Sequence, residues 1–342
     1  MKSSSMSAGL AVAGISALSF GTTGAFIKPL LEAGWSPAAA VTVRALAAGV
    51  VLLPFVLASL RGRWAALWRA RWRVLGMGVV GVAFTQFAYF AAVRRIPVST
   101  ALLVEYLAPV ILVGFTWATT RRTPRPVVLA GLVLAIGGLV LVIGPGGLRA
   151  VDPVGLAIAF AAAIGCAAYF VIAARPTEGV APVALAGSGL LLGGLVLALA
   201  GATGLLPFTA TFVDVALFDS ATPWWVPLLV VVVIGTALAY ATGITASGIL
   251  GSRLASFVGL LEVVFASLLA WLLVGERLTP LQFAGGALIL GGITAVRADD
   301  SAKAPSELSK SPKSPASPRA AGRRLSRGES QDRIEHAGEA VA

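Results

Sequence analysis

"LAPVILVGFTWATTRRTPRPVVLAGLVLAIGGLVLV", residues 107–142, lies without a gap over "LEVVFASLLAWLLVGERLTPLQFAGGALILGGITAV", residues 261–296. The shift is 154 residues (261 minus 107). At that shift Trp117 meets Trp271, Pro126 meets Pro280, Gly131 meets Gly285, and Gly137-Gly138 meets Gly291-Gly292. The register continues upstream, where Leu75, Val79, Gly81 and Ala83 meet Leu229, Val233, Gly235 and Ala237. A looser match, at a shift of 145, pairs residues 35–49 with 180–194. Trp, Pro and Gly falling in register over this length mark an internal duplication.

Both copies are made almost wholly of hydrocarbon. The 342-residue chain is 58% hydrophobic and 12% charged, with a mean hydropathy of +0.91. A soluble domain carries about 25% charged residues, so a soluble fold is hard to sustain. Apolar runs of roughly 20 residues recur, each long enough to cross the bilayer as a helix. The alternation of a membrane barrel is absent, and lipid demands internally satisfied backbone, so the runs are helices. They fall near 8–28, 38–60, 74–93, 98–118, 126–144, 154–174, 181–204, 223–247, 252–274 and 279–297. The fold class is an all-α polytopic membrane protein with ten transmembrane helices.

Each repeat therefore holds five helices. An odd number places the second copy upside down relative to the first, and the charges agree. With the N-terminus inside, the loops on that side carry Lys2, Arg61, Arg63, Arg69, Arg71, Arg73, Arg121, Arg122, Arg125, Arg175 and Arg253. The opposite side carries Lys28, Arg94, Arg95, Arg149 and Arg277, with Arg94-Arg95 a local exception to the bias. That distribution predicts cytoplasmic N- and C-termini. Domain boundaries follow: residues 1–148 for the first repeat, 149–297 for the second, and 298–342 for a disordered Ser/Pro/Arg-rich cytoplasmic tail. Inverted repeats about an axis in the membrane plane are characteristic of secondary transporters.

The closing stretch "LLEVVFASLLAWLLVGERLTPLQFAGGALILGGITAV", its first-half echo and "GTTGAFIKPLLEAGW" resemble the EamA-type transporters of the drug/metabolite transporter superfamily. The resemblance covers residues 8–297. It implies two inverted EamA repeats and export of amino acids or other small metabolites across a bacterial inner membrane. The family often reads Leu-Glu-Pro where this chain reads Leu261-Glu262-Val263; the proline stands only in the first copy, as Pro109.

Inside the spans the ionisable groups are Arg44, Glu105 and Glu262, with Lys28 near an edge. A charge at mid-bilayer costs on the order of 3 kcal/mol, so each should face a cavity or a partner. Glu105 maps onto Gly259 and Glu262 onto Ala108, so the acids lie three residues apart in repeat register. Both can flank one central cavity from opposite sides. In one reading either acid carries a proton or binds a substrate amine. In the other, Arg44 is a static counter-ion that fixes helix register. Gln86 and Tyr89 on the third helix, Tyr106 beside Glu105, and Tyr240, the repeat partner of Gln86, complete the candidate substrate-binding or coupling set. Tyr169 and Thr22 are weaker candidates.

The spans contain no histidine or aspartate, so no metal site or Ser-His arrangement can be drawn. No phosphate-cradling Gly-Lys-Ser/Thr loop is present, which argues against direct ATP drive. The expectation is a secondary active transporter rather than an enzyme. It would work by alternating access, with proton coupling an option and no cofactor. A lipid or lipid-carrier flippase of the same fold is the alternative. The expected partners are a small-molecule substrate and the bilayer. The net charge of +11 sits in short loops and does not indicate nucleic acid. A homodimer is left open.

Overall fold

The computed structural model describes residues 3–121, 123–144, 152–176, 179–218, 220–274 and 279–308. The helices are α1 (Ser3–Glu32), α2 (Pro37–Ser59), α3 (Trp64–Arg69), α4 (Arg71–Val93), α5 (Val98–Glu105), α6 (Ala108–Thr120), α7 (Pro126–Ile143), α8 (Pro153–Ala174), α9 (Pro182–Ala202), α10 (Trp225–Gly259), α11 (Leu261–Val274) and α12 (Pro280–Leu308). A short antiparallel hairpin, β1 (Val215–Leu217) and β2 (Ser220–Thr222), interrupts the loop between α9 and α10. Among the described residues nine helices are long and apolar enough to cross a membrane, and α11 is a further, shorter apolar helix. The chain is an all-α polytopic protein. Helix α12 runs on to Leu308, past the predicted span end at 297, and residues 309–342 of the expected tail lie outside the described residues.

Local signals set the helix starts. Proline occupies the first position of α2, α7, α8, α9 and α12, where its missing N–H costs nothing. Ser36 caps α2 by accepting from the Ala39 amide at 3.2 Å. Asp152 caps α8 by accepting from the amides of Val154 at 3.2 Å and Gly155 at 3.3 Å.

The duplication is visible in the backbone. Helix α5 occupies 98–105, and at the 154 shift this becomes 252–259, the stretch of α10 that follows a sharp kink at Gly251 (φ 79, ψ 163). The fourth crossing breaks at Tyr106–Leu107 and the ninth at Leu260, the repeat partner of Tyr106. The ninth breaks without the proline that its first-half counterpart has at position 109. Wide, π-type turns likewise run over Gly76–Phe84 in α4 and Val233–Leu238 in α10; shifting the second by 154 gives 79–84, inside the first. Such turns inside α-helices often mark functional sites.

Two helix pairs carry the inverted symmetry directly. Where α7 crosses α12, a Cβ on Gly131 would lie 3.0 Å from the Gly292 carbonyl, and one on Gly285 2.5 Å from the Gly138 carbonyl. Exchanging each glycine for its repeat partner turns one contact into the other, as a two-fold axis requires. Where α2 meets α9, a Cβ on Gly49 would lie 2.6 Å from Leu191 and one on Gly194 2.8 Å from Leu46. At the 145 shift these two contacts also exchange. Lipid supplies no hydrophobic drive between helices, so close approach of small residues holds these pairs.

Candidate functional site

A central cavity of about 490 Å³ lies between the halves. Arg44, Gln86, Tyr89, Glu105, Tyr106, Tyr240 and Glu262 all line it. The structure therefore brings together all seven of the residues singled out from sequence, from helices α2, α4, α5, α10 and α11 and from the break after α5.

The two acids sit at the helix breaks, and the breaks give them opposite electrostatic settings. Glu105 is the last residue of α5, at its electronegative end. Glu262 is in the first turn of α11, at its electropositive end. Interrupted spans of this kind place half-helix ends and unpaired backbone groups against a cavity. The Tyr106 phenol lines the same cavity as the Glu262 carboxyl. Arg44 acts electrostatically on both acids. Among the described residues it forms no direct ion pair with either; the pairs seen are Arg95–Asp152, Arg125–Asp299 and Arg253–Asp299. A close Arg44–carboxylate pair fixing helix register is therefore not the arrangement here.

Aromatic rings build one wall. Phe20 meets Tyr240 edge to face with centroids 5.2 Å apart, Tyr240 meets Tyr169 at 5.7 Å, and Tyr169 meets Phe170 at 5.1 Å. All four line the cavity. The Tyr169 hydroxyl is buried without a hydrogen-bond partner. Gly243 makes room for it: a Cβ there would come within 2.8 Å of that oxygen. Sequence gave Tyr169 little weight and Phe20 none, because an aromatic residue in an apolar span carries no mark of the face it occupies. Thr22 bonds the Ser19 carbonyl at 2.7 Å and does not line the cavity.

The lining reaches Leu31 and Pro37 at the α1–α2 turn and Val93 and Val98 at the α4–α5 turn, so the cavity extends to that end of the bundle. The other end is filled. A Cβ on Gly9 would lie 2.7 Å from Ile249, and Met6 and Leu10 pack with Leu250, Leu254 and Phe257. Among the described residues no three of His, Cys, Asp and Glu converge as metal ligands. The site thus offers two carboxyls, one guanidinium, phenols and an apolar wall. That combination suits a small amphiphile carrying an amine.

Comparison with known proteins agrees with this architecture. The sequence model of the EamA-like transporter family matches residues 7–144 and again residues 153–298. An uncharacterized inner membrane transporter, YicL, of Salmonella typhimurium is 26% identical over 307 residues, covering 85% of this chain and 95% of that protein. A solved crystal structure superposes with a TM-score of 0.65 over 84% of this chain and 96% of its own, at 20% identity, which bears on the fold alone.

Proposed function

The chain belongs to the EamA-like transporter family, and from that premise we propose a secondary active transporter that exports amino acids or other small metabolites by alternating access. It would sit in a bacterial inner membrane with both termini cytoplasmic, as the loop charges favour. Its working parts would be the two repeats, 1–148 and 149–297. The observation that carries this reading is the pairing of Glu105 and Glu262 across one cavity that reaches only one end of the bundle. By the positive-inside bias the reached end is extracytoplasmic, so this conformation faces outward. Two structurally equivalent halves can exchange shapes, which makes the opposite state similar in energy.

In this mechanism Glu262 is alternately protonated or occupied by a substrate amine as the halves rock. Arg44 receives a substrate carboxylate or tunes the acids, and the ring wall takes the apolar body. A cavity with this charged floor gives little support to a lipid-sized chain.

The test is flux of radiolabelled amino acids and small amines in proteoliposomes under an imposed pH gradient. Wild type and Glu262→Gln are compared at matched incorporation. The Gln variant keeps the shape, so it should insert normally while flux falls by about tenfold or more. Undiminished, pH-driven flux in that variant would remove Glu262 from the mechanism.

A further inference from the structure

A surface far from the cavity carries a second, independent feature. The segment between α2 and α4 reads "LRGRWAALWRARWRVL" over residues 60–75, and no acidic residue occurs anywhere between Glu32 and Glu105. Its inner face is anchored: Leu60, Ala66 and Ala70 are buried, with Leu67 and Val74 packed beside them. Its outer face presents Trp64, Trp68 and Trp72, which are 56%, 71% and 72% exposed. The four-residue spacing sets the three indoles along one side. Arg61, Arg63, Arg69 and Arg71 are exposed among them.

Arg71 and Arg73 are held in place. The Arg71 guanidinium stacks 5.2 Å from the Trp68 ring and 5.6 Å from the Trp72 ring, and its Nη1 donates to the Trp68 carbonyl at 3.2 Å. Arg73 reaches the other way. Its Nε, Nη2 and Nη1 donate to the carbonyls of Ile172 at 3.1 Å, Ala173 at 3.2 Å and Pro176 at 2.9 Å, pinning the segment to the end of α8. The adjoining spans also carry exposed apolar side chains, including Phe55, Leu57, Leu75 and Val79. The indoles thus stand where two apolar spans, α2 and α4, come to an end.

We propose that the Trp64–Trp72 face, with Arg61, Arg63, Arg69 and Arg71, is a binding surface for anionic phospholipid headgroups. Indoles favour the boundary between acyl chains and headgroups. A planar guanidinium pairs two N–H groups with one phosphate, and stacking on the rings fixes its plane. The surface is confined to one leaflet. The loop at the corresponding place in the second repeat, 205–222, carries Asp214 and Asp219 and no base.

The experiment uses the purified full-length chain and native mass spectrometry, with phosphatidylglycerol and phosphatidylcholine of matched acyl chains competing for it. Wild type should retain the anionic lipid over the neutral one by about tenfold. Arg69→Lys/Arg71→Lys keeps the charge that sets topology but loses the fork, and should lower that preference about threefold or more. Trp68→Ala/Trp72→Ala keeps every charge and should lower it as well, while Arg121→Gln/Arg175→Gln, at the same end of the bundle, should leave it intact. Equal retention of both lipids by wild type would overturn the proposal. So would a preference unchanged in the Lys pair, or one abolished equally by the Arg121/Arg175 control, since diffuse charge would then account for it. Melting of each variant without added lipid checks that the bundle itself is unaltered.

Discussion

Arg253, just past the Gly251 kink, donates from Nη2 to Oδ2 of Asp299 at 3.1 Å, and the aspartate side chain is fully buried. Arg125, before α7, donates to its other oxygen at 3.3 Å. Three chain segments are thus tied at the filled end of the bundle. At the end that the cavity reaches, the corresponding tie is Arg95 to Asp152, also 3.1 Å long but half exposed. The two ion pairs join topologically equivalent segments, a loop between spans 3 and 4 or 8 and 9 and the chain after span 5 or 10. One is sealed and the other wet.

That difference predicts unequal costs. Asp299→Asn removes the buried anion that Arg125 and Arg253 share and should destabilise the protein by about 3 kcal/mol. Asp152→Asn should barely shift melting, because solvent screens an exposed pair and asparagine still caps α8. The hydrogen bond from Arg95, followed by that from the Val154 amide, holds the Asp152 carboxyl below its usual range. Its small contribution is therefore complete above the ordinary carboxylate value and fades as pH falls through the depressed one. Thermal unfolding in detergent at neutral and acid pH measures both; equal losses for the two variants would contradict the contrast.

The glycine crossing makes a finer prediction. Adjacent Gly137 and Gly138 differ completely in surroundings. A Cβ at Gly137 meets nothing within 4 Å, whereas one at Gly138 collides with the Gly285 carbonyl and lies 2.9 Å from the Ile289 amide. Gly137→Ala should be neutral or stabilising by up to about 1 kcal/mol, through helix propensity. Gly138→Ala should lower the melting temperature. In the second repeat Gly291→Ala and Gly292→Ala should repeat the pattern, since a Cβ at Gly291 makes only an ordinary 3.8 Å contact with Leu134 and Gly292 abuts the Gly131 carbonyl.

Much of this architecture was legible because hydrocarbon runs and a gapless repeat leave few alternatives. The acids were legible for the same reason, since an unexplained carboxylate in an apolar run must face something. The break at Leu260 was not, because its cue, a proline, is present only at position 109 of the other copy. The second-half break stands without that cue, so Pro109→Ala should keep the first-half break as well. Asp299 was missed because it falls just past the predicted span end, where an acid reads as solvated tail. Only the structure sets it between Arg125 and Arg253.

Topology has its own test. Reporter fusions at residues 66 and 123 should report a cytoplasmic location, and one at residue 215, in β1, an extracytoplasmic one. A cytoplasmic signal at 215 would reverse the outward-facing assignment of the cavity and, with it, the leaflet that meets Trp68 and Trp72.

The last prediction concerns how Glu105 and Glu262 divide their work. They line one cavity and interact electrostatically, with Arg44 acting on both, so neither is independent of the other. Groups that serve one step together lose that step when either is removed, and removing the second then adds little. Glu105→Gln and Glu262→Gln should each reduce flux severely, and the double variant should lose no more than the worse single one. Arg44→Ala should alter the effect of both substitutions, because without it the acids lose their shared cation. The measurement is a flux cycle in proteoliposomes, with and without a pH gradient. Losses that multiply would give the acids separate tasks, one holding substrate and one moving a proton. In that case pH drive should vanish in only one of the single variants, which identifies the carrier.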